Sequence, residues 1–165
     1  MRRLAWGSSV MVLAFFAGCA SAPRASVDMT ESLRPIPLFS GLSETELDRV
    51  AGICSVRECT AGTPLIRQGS QDDRLYVIHE GKAEVRVNGR AIATLEHDAV
   101  AGEMGFVDNR PAAADVVMTT SGKLIEIKRA DLQQLMDSQP HLGVTIMGNI
   151  ARILSEKLRA MNPPK

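Results

Sequence analysis

In Gly102-Glu103-Met104-Gly105-Phe106-Val107-Asp108-Asn109-Arg110-Pro111-Ala112-Ala113-Ala114-Asp115-Val116, a Gly-Glu pair opens a short, mainly apolar segment. Asp108-Asn109 then turns the chain, and small residues after Pro111 lead into a strand start at Val116-Val117. The pattern predicts a short helix whose first amides face a concavity, followed by a loop that lets a ligand approach the backbone. Unpaired N-terminal amides and the helix dipole both attract negative charge, so an anion suits such a site.

Outward from this stretch the chain reads as short strands separated by turns. Residues 75–87 are two strands joined at Glu80-Gly81. In the second, Ala83, Val85 and Val87 alternate with Lys82, Glu84 and Arg86, as a strand with one buried face should. Asn88-Gly89 is a hairpin turn signal, since both residues tolerate positive φ. Ile92, Thr94 and Leu95 continue the next strand, and residues 116–118 and 123–127 supply the last two. Short strands at even spacing mean a sandwich or barrel.

Helices flank this β region. Ser43 and Glu46 form a capping box before the apolar stripe Leu47, Val50, Ala51. A short helix over 130–136 precedes Pro140, and a longer one runs from His141 to Met161 before Asn162-Pro163-Pro164. In the longer helix Met147, Ile150, Leu154, Leu158 and Met161 make a narrow apolar seam. Such a seam packs either on its own barrel or on a second copy in a homodimer.

Gly102-Glu103 with Ala114-Asp115-Val116 resembles the phosphate-binding cassette of cyclic-nucleotide-binding domains, the family of the catabolite activator protein and the protein kinase A regulatory subunits. Gly62, Gly69 and Gly81 and the opening Pro37-Leu38-Phe39-Ser40-Gly41-Leu42-Ser43 carry the same resemblance, which spans about residues 36–160. It implies a mainly β fold with flanking helices: a cyclic-nucleotide-binding β jelly roll over residues 38–137, with a short N-terminal helix, and a C-terminal helix over 138–162. It also implies a non-enzymatic ligand-sensing or regulatory module whose ligand is a cyclic nucleotide, with no cofactor. The implied ligand-binding residues are Gly102, Glu103, Met104, Gly105, Arg110, Ala112 and Ala113. By the resemblance, Glu103 accepts from the ribose 2′-hydroxyl, while amides from Met104 to Phe106 and at Ala113 approach the cyclic phosphate.

Two departures stand out. Ala112 occupies the position of the family's phosphate-pairing Arg, and a lost charged partner of this kind typically costs a few kcal/mol. Arg110, two residues earlier across Pro111, is either a substitute or a solvent-facing side chain. Leu95-Glu96-His97-Asp98-Ala99-Val100-Ala101 lacks the turn glycines and Phe that usually precede the cassette. The alternative function is therefore an envelope-anchored structural or protein-interaction domain that no longer binds cyclic nucleotide.

At the N-terminus Arg2 and Arg3 precede a mostly apolar run over residues 4–16, and Phe16-Ala17-Gly18-Cys19 resembles a bacterial lipobox. The run is shorter than the ~20 residues of a membrane span. Residues 1–18 are expected to be a signal peptide, with Cys19 lipidated as the membrane anchor. Cleavage near Ala20-Ser21-Ala22, or a start assigned too early, are the other readings. Removing Arg2 and Arg3 leaves 19 − 2 = 17 basic against 19 acidic residues, a formal charge of −2. Residues 19–37 read as a flexible tether. By resemblance to enterobacterial lipoprotein sorting, Ala20, not being Asp, favours the bacterial outer membrane facing the periplasm.

Other chemistries find little support in sequence. The balance of 19 basic and 19 acidic side chains gives no electrostatic case for nucleic acid, and no helix-turn-helix pattern follows residue 161. His79, His97 and His141 lack the spacing of a metal-binding motif, so no metal is expected. Cys54 and Cys59 lie too far apart for a disulfide if the chain between them is extended, and close enough if it bends. No nucleophile elbow or triad context is present, and no enzymatic activity is expected.

Overall fold

A computed structural model describes residues 28–162. The signal-peptide and Cys19 expectations lie outside these residues, as does the tether as far as residue 27. The eight strands are β1 (Cys54–Cys59), β2 (Pro64–Ile66), β3 (Arg74–Ile78), β4 (Ala83–Val87), β5 (Arg90–Leu95), β6 (Val100–Ala101), β7 (Asp115–Met118) and β8 (Gly122–Lys128). They form two antiparallel four-stranded sheets, ordered β1-β8-β3-β6 and β2-β7-β4-β5. This is the expected jelly-roll-like arrangement. The helices are α1 (Met29–Leu33), α2 (Glu44–Ala51), α3 (Glu103–Asp108), α4 (Arg129–Ser138) and α5 (Pro140–Met161).

The first sheet is covered on both faces. Along β3, Leu75 and Val77 join the cluster built on the helices, while Tyr76 and Ile78 join the cluster between the sheets. β8 divides the same way, with Ile125 and Ile127 toward the helices and Leu124 between the sheets. Double burial explains why β3 is a nearly continuous apolar run and why β8 carries the adjacent apolar pair Leu124-Ile125, whereas β4 alternates. The β4–β5 hairpin closes through Asn88 and Gly89 at φ 51° and 79°, as an Asn-Gly turn allows.

One expectation needs correction, and one left open is decided in part. Residues 28–37 are not tether. Asp28 accepts from the Thr30 amide at 3.2 Å and caps α1, and Leu33 and Ile36 are fully buried among the helices. Three residues apart, these side chains anchor a segment whose prolines and small polar residues read as linker. The α5 seam also divides. Ile150 packs into the molecule's own core with Leu142, Ile146 and Ile153, while Met147, Leu158 and Met161 face outward with Val144. Inside, Asn149 donates to the carbonyls of Leu38 and Ser40 at 2.9 and 2.8 Å, pinning α5 to the 3-10 turn Pro37–Phe39.

Cys54 and Cys59 are free thiols at the two ends of extended β1. Cys54 Sγ donates to the Val50 carbonyl, and burial pushes the thiol up to about 12. No described helix is long and apolar enough to cross a membrane.

The capping box at α2 is present as read. Ser43 N donates to Glu46 Oε2 at 2.8 Å, and Ser43 Oγ accepts from the Glu46 amide. Hydrogen bonds from His141 and then from Ser43 lower the Glu46 carboxyl from 4.5 to about 2. A depressed carboxyl stabilises fully above its unfolded value, and that contribution is lost as pH falls from about 4.5 toward 2. Ser43→Ala is therefore expected to cost about 1 kcal/mol in urea unfolding at pH 7, with a smaller deficit at pH ~3. An equal deficit at both pH values would contradict this account of Glu46.

Candidate functional site

The site begins where β6 ends. Gly102 adopts φ 92°, and a Cβ there would sit 2.5 Å from the Arg74 carbonyl oxygen. Glycine alone lets the chain leave β6 against β3 and enter α3 at once. No side chain caps the first amides of α3.

The far end of α3 is held by residues distant in sequence. Asn109 closes the helix at φ 54°. Arg129, opening α4, donates to the Phe106 carbonyl at 3.1 Å and to Asn109 Oδ1 at 2.6 Å. Its guanidinium also lies 5.8 Å from the Phe106 ring centroid. Gln71 Nε2 adds bonds to the carbonyl and side-chain oxygens of Asn109 at 3.1 and 3.2 Å. The short helix is thereby fixed at both ends.

The following loop is anchored as firmly. Arg110 N donates to Asp108 Oδ1 at 3.0 Å, turning the chain into Pro111. Ala112 N donates to the Ser70 carbonyl at 2.9 Å, and the Ala112 carbonyl accepts from Gly69 N at 2.8 Å. The half-buried Ala112 side chain packs against the cluster between the sheets.

Together these elements enclose a cavity of about 100 Å³. Ile66, Val85, Leu95 and Val116 supply apolar lining, and Gly102, Glu103, Met104, Gly105, Arg110, Ala112 and Ala113 all border the same space. The structure thus brings every sequence-predicted ligand residue to one place. Arg110 is exposed at this border, and its guanidinium makes no ion pair among the described residues.

The sequence reading missed Lys157. Glu103 is only 4% exposed, and its Oε1 lies 2.6 Å from Lys157 Nζ on α5. The same ammonium donates to the Val100 carbonyl at 2.8 Å. Glu103 therefore has a cationic partner, supplied by the C-terminal helix rather than by the cassette loop. Lys157 lies 54 residues from Glu103, so no local motif signals the pair. Arg129 and Asp72, the latter also lining the cavity, were missed for the same reason.

The histidines go elsewhere. His141 Nδ1 lies 2.9 Å from Glu46 Oε1, while His79 and His97 meet beside Asp98.

Residues 56–139 match the family described as "Cyclic nucleotide-binding domain". Glutaminase 1 of Bradyrhizobium diazoefficiens is 29% identical over 140 residues, covering 83% of this chain and 23% of that protein. The type II regulatory subunit of the cAMP-dependent protein kinase of Drosophila melanogaster is 32% identical over 108 residues, covering 66% of this chain and 29% of that protein. The chain thus spans less than a third of either relative's length. Among solved structures, the catabolite activator protein of Thermus thermophilus superposes with a TM-score of 0.65 at 27% identity, covering 76% of this chain and 60% of that one.

The close approach at Gly102 predicts that Gly102→Ala destabilises the fold by roughly 2 kcal/mol or more, combining left-handed strain with a backbone clash. Urea unfolding checks this, and a change under 0.5 kcal/mol would show that β6 and α3 relax more easily than the geometry implies.

Proposed function

The chain belongs to the cyclic nucleotide-binding domain family, and on that premise we propose that it is a non-enzymatic ligand-sensing module that reports cavity occupancy through α5. The observation that carries this reading is the Lys157–Glu103 pair at 2.6 Å. By resemblance, Glu103 is the acceptor for a ribose hydroxyl, and Lys157 already holds that carboxylate. A cavity of about 100 Å³ is well below the roughly 300–1,000 Å³ of typical small-molecule sites. Nucleotide entry would therefore compete with Lys157 for Glu103 and free the last turns of α5. The cyclic phosphate would take the amides of Met104 to Phe106 and Ala113, with Arg110 the available cation at the border.

A second reading rests on Ala112. Its side chain packs on the inter-sheet cluster where a guanidinium would pair with phosphate. The chain is then a structural or protein-interaction domain, with Lys157–Glu103 a permanent pin. The outward residues Val144, Met147, Leu158 and Met161 of α5 would be its contact surface, for a partner or for a second copy in a homodimer. In both readings the N-terminal pattern supports a lipid anchor at Cys19 and an envelope location, outer membrane facing the periplasm. Acyl labelling lost in Cys19→Ser checks the anchor, and labelling that persists would remove it.

Calorimetry with cyclic AMP and cyclic GMP on residues 28–165 separates the two functions. Sensing predicts micromolar binding by the natural protein. Ala112→Arg should tighten it at least tenfold by restoring a directed charge. Lys157→Met should also tighten it, because it leaves a buried carboxylate in need of a hydroxyl donor. Unchanged or weaker binding in Lys157→Met would remove the competition between Lys157 and nucleotide. Binding by Ala112→Arg alone, or by neither protein, favours the interaction domain.

A further inference from the structure

We propose that His79, His97 and Asp98 form a binding site for a borderline divalent transition metal, Zn²⁺ in the first instance. One ligand atom from each residue lies within 4.8 Å of the others. His79 follows the end of β3, and His97 and Asp98 sit in the loop from β5 to β6. None of the three residues lines the cavity, so the cluster is a site of its own beyond Leu95.

The local hydrogen bonding argues for a cation. His97 Nδ1 lies 2.5 Å from the His79 carbonyl oxygen. A carbonyl only accepts, so Nδ1 carries a proton, and in the neutral ring Nε2 bears a lone pair. That lone pair lies 3.4 Å from Asp98 Oδ2. Two acceptors so placed repel unless a positive species lies between them. In a tetrahedral zinc site with bonds of about 2.0–2.1 Å, ligand atoms stand about 3.3 Å apart, close to the 3.4 Å between His97 and Asp98, and His79 would close in from within 4.8 Å.

Three further features agree. Nδ1 of His79 and Oδ1 of Asp98 are buried without a hydrogen-bond partner among the described residues. Buried polar groups of this kind call for a ligand that takes them up. The imidazole centroids are 5.8 Å apart, near the roughly 5 Å of two rings on one tetrahedral ion. Finally, the carbonyl bond at His97 is the outer-shell contact that orients a ligating histidine.

The backbone holds this geometry in place. Asp98 N donates to the Ile78 carbonyl at 2.8 Å, Ile78 N donates to the Ala99 carbonyl at 2.9 Å, and Ala99 N donates to the Glu96 carbonyl at 2.9 Å. Asp98 takes φ 64°, turning its carboxylate back toward β3. Nearby Glu80 is occupied by Lys123 at 2.8 Å, so the donor set is two imidazoles and one carboxylate, with a fourth position left for water. A metal here would staple the crossing between the sheets just before β6 enters the cassette. It would thereby raise the stability of the fold by mass action.

The test is titration of the full chain with Zn²⁺ alone, followed by calorimetry and thermal unfolding, with Co²⁺ as a spectroscopic substitute. One equivalent should bind and raise Tm. His97→Ala, at an exposed side chain, and the isosteric Asp98→Asn should each weaken binding at least tenfold while keeping the metal-free Tm close to that of the natural protein. His141→Ala should bind as the natural protein does. Absence of binding, equal affinity in His97→Ala and Asp98→Asn, or a Co²⁺ spectrum with thiolate charge-transfer bands would each overturn the assignment.

Discussion

The structure depends on the burial of β3 and β8 on both faces. Their paired residues Leu75–Ile127 and Val77–Ile125 support the helices, and Ile78–Leu124 supports the second sheet. A strand pair covered on only one side could not join the helical layer to the sandwich. Because it does, each end of β3 becomes a fixed reference for a neighbouring loop. At one end the Arg74 carbonyl crowds Gly102 and sets where α3 starts. At the other, Ile78 bonds to the loop that carries His97 and Asp98.

The cavity inherits this rigidity. Its loop is pinned to the Gly69-Ser70 turn, its helix is held by Arg129 and Gln71, and its single buried carboxylate is paired by α5. The last of these contacts comes from the C-terminal helix. Lys157 is about a third exposed, while Glu103 is almost fully covered. The pair is thus asymmetric: the lysine can be rehydrated on leaving, whereas the carboxylate must find another donor.

Much of the fold was legible because it is written in local patterns. Alternation along β4, Asn88-Gly89 in its hairpin, and Ser43 with Glu46 at α2 depend on neighbours a few residues away. The cassette residues were legible for a similar reason, since they are contiguous. The reading failed where burial is set by remote partners. Leu33 and Ile36 looked like tether until the helical layer claimed them, and for Ile150 the pattern left open whether its partner was the chain's own core or a second copy.

From sequence alone came the strand pattern, the capped helix and the candidate loop. Each follows from stereochemistry within one turn or one strand. Tertiary structure alone decided that Lys157 is the partner of Glu103, that Arg110 borders the cavity, and that His79 meets His97 and Asp98. The physical reason is range: a charge pair or ligand cluster depends on where side chains converge in space. Separations of 54 residues, or 18 for His79 and His97, leave no periodic trace in the chain.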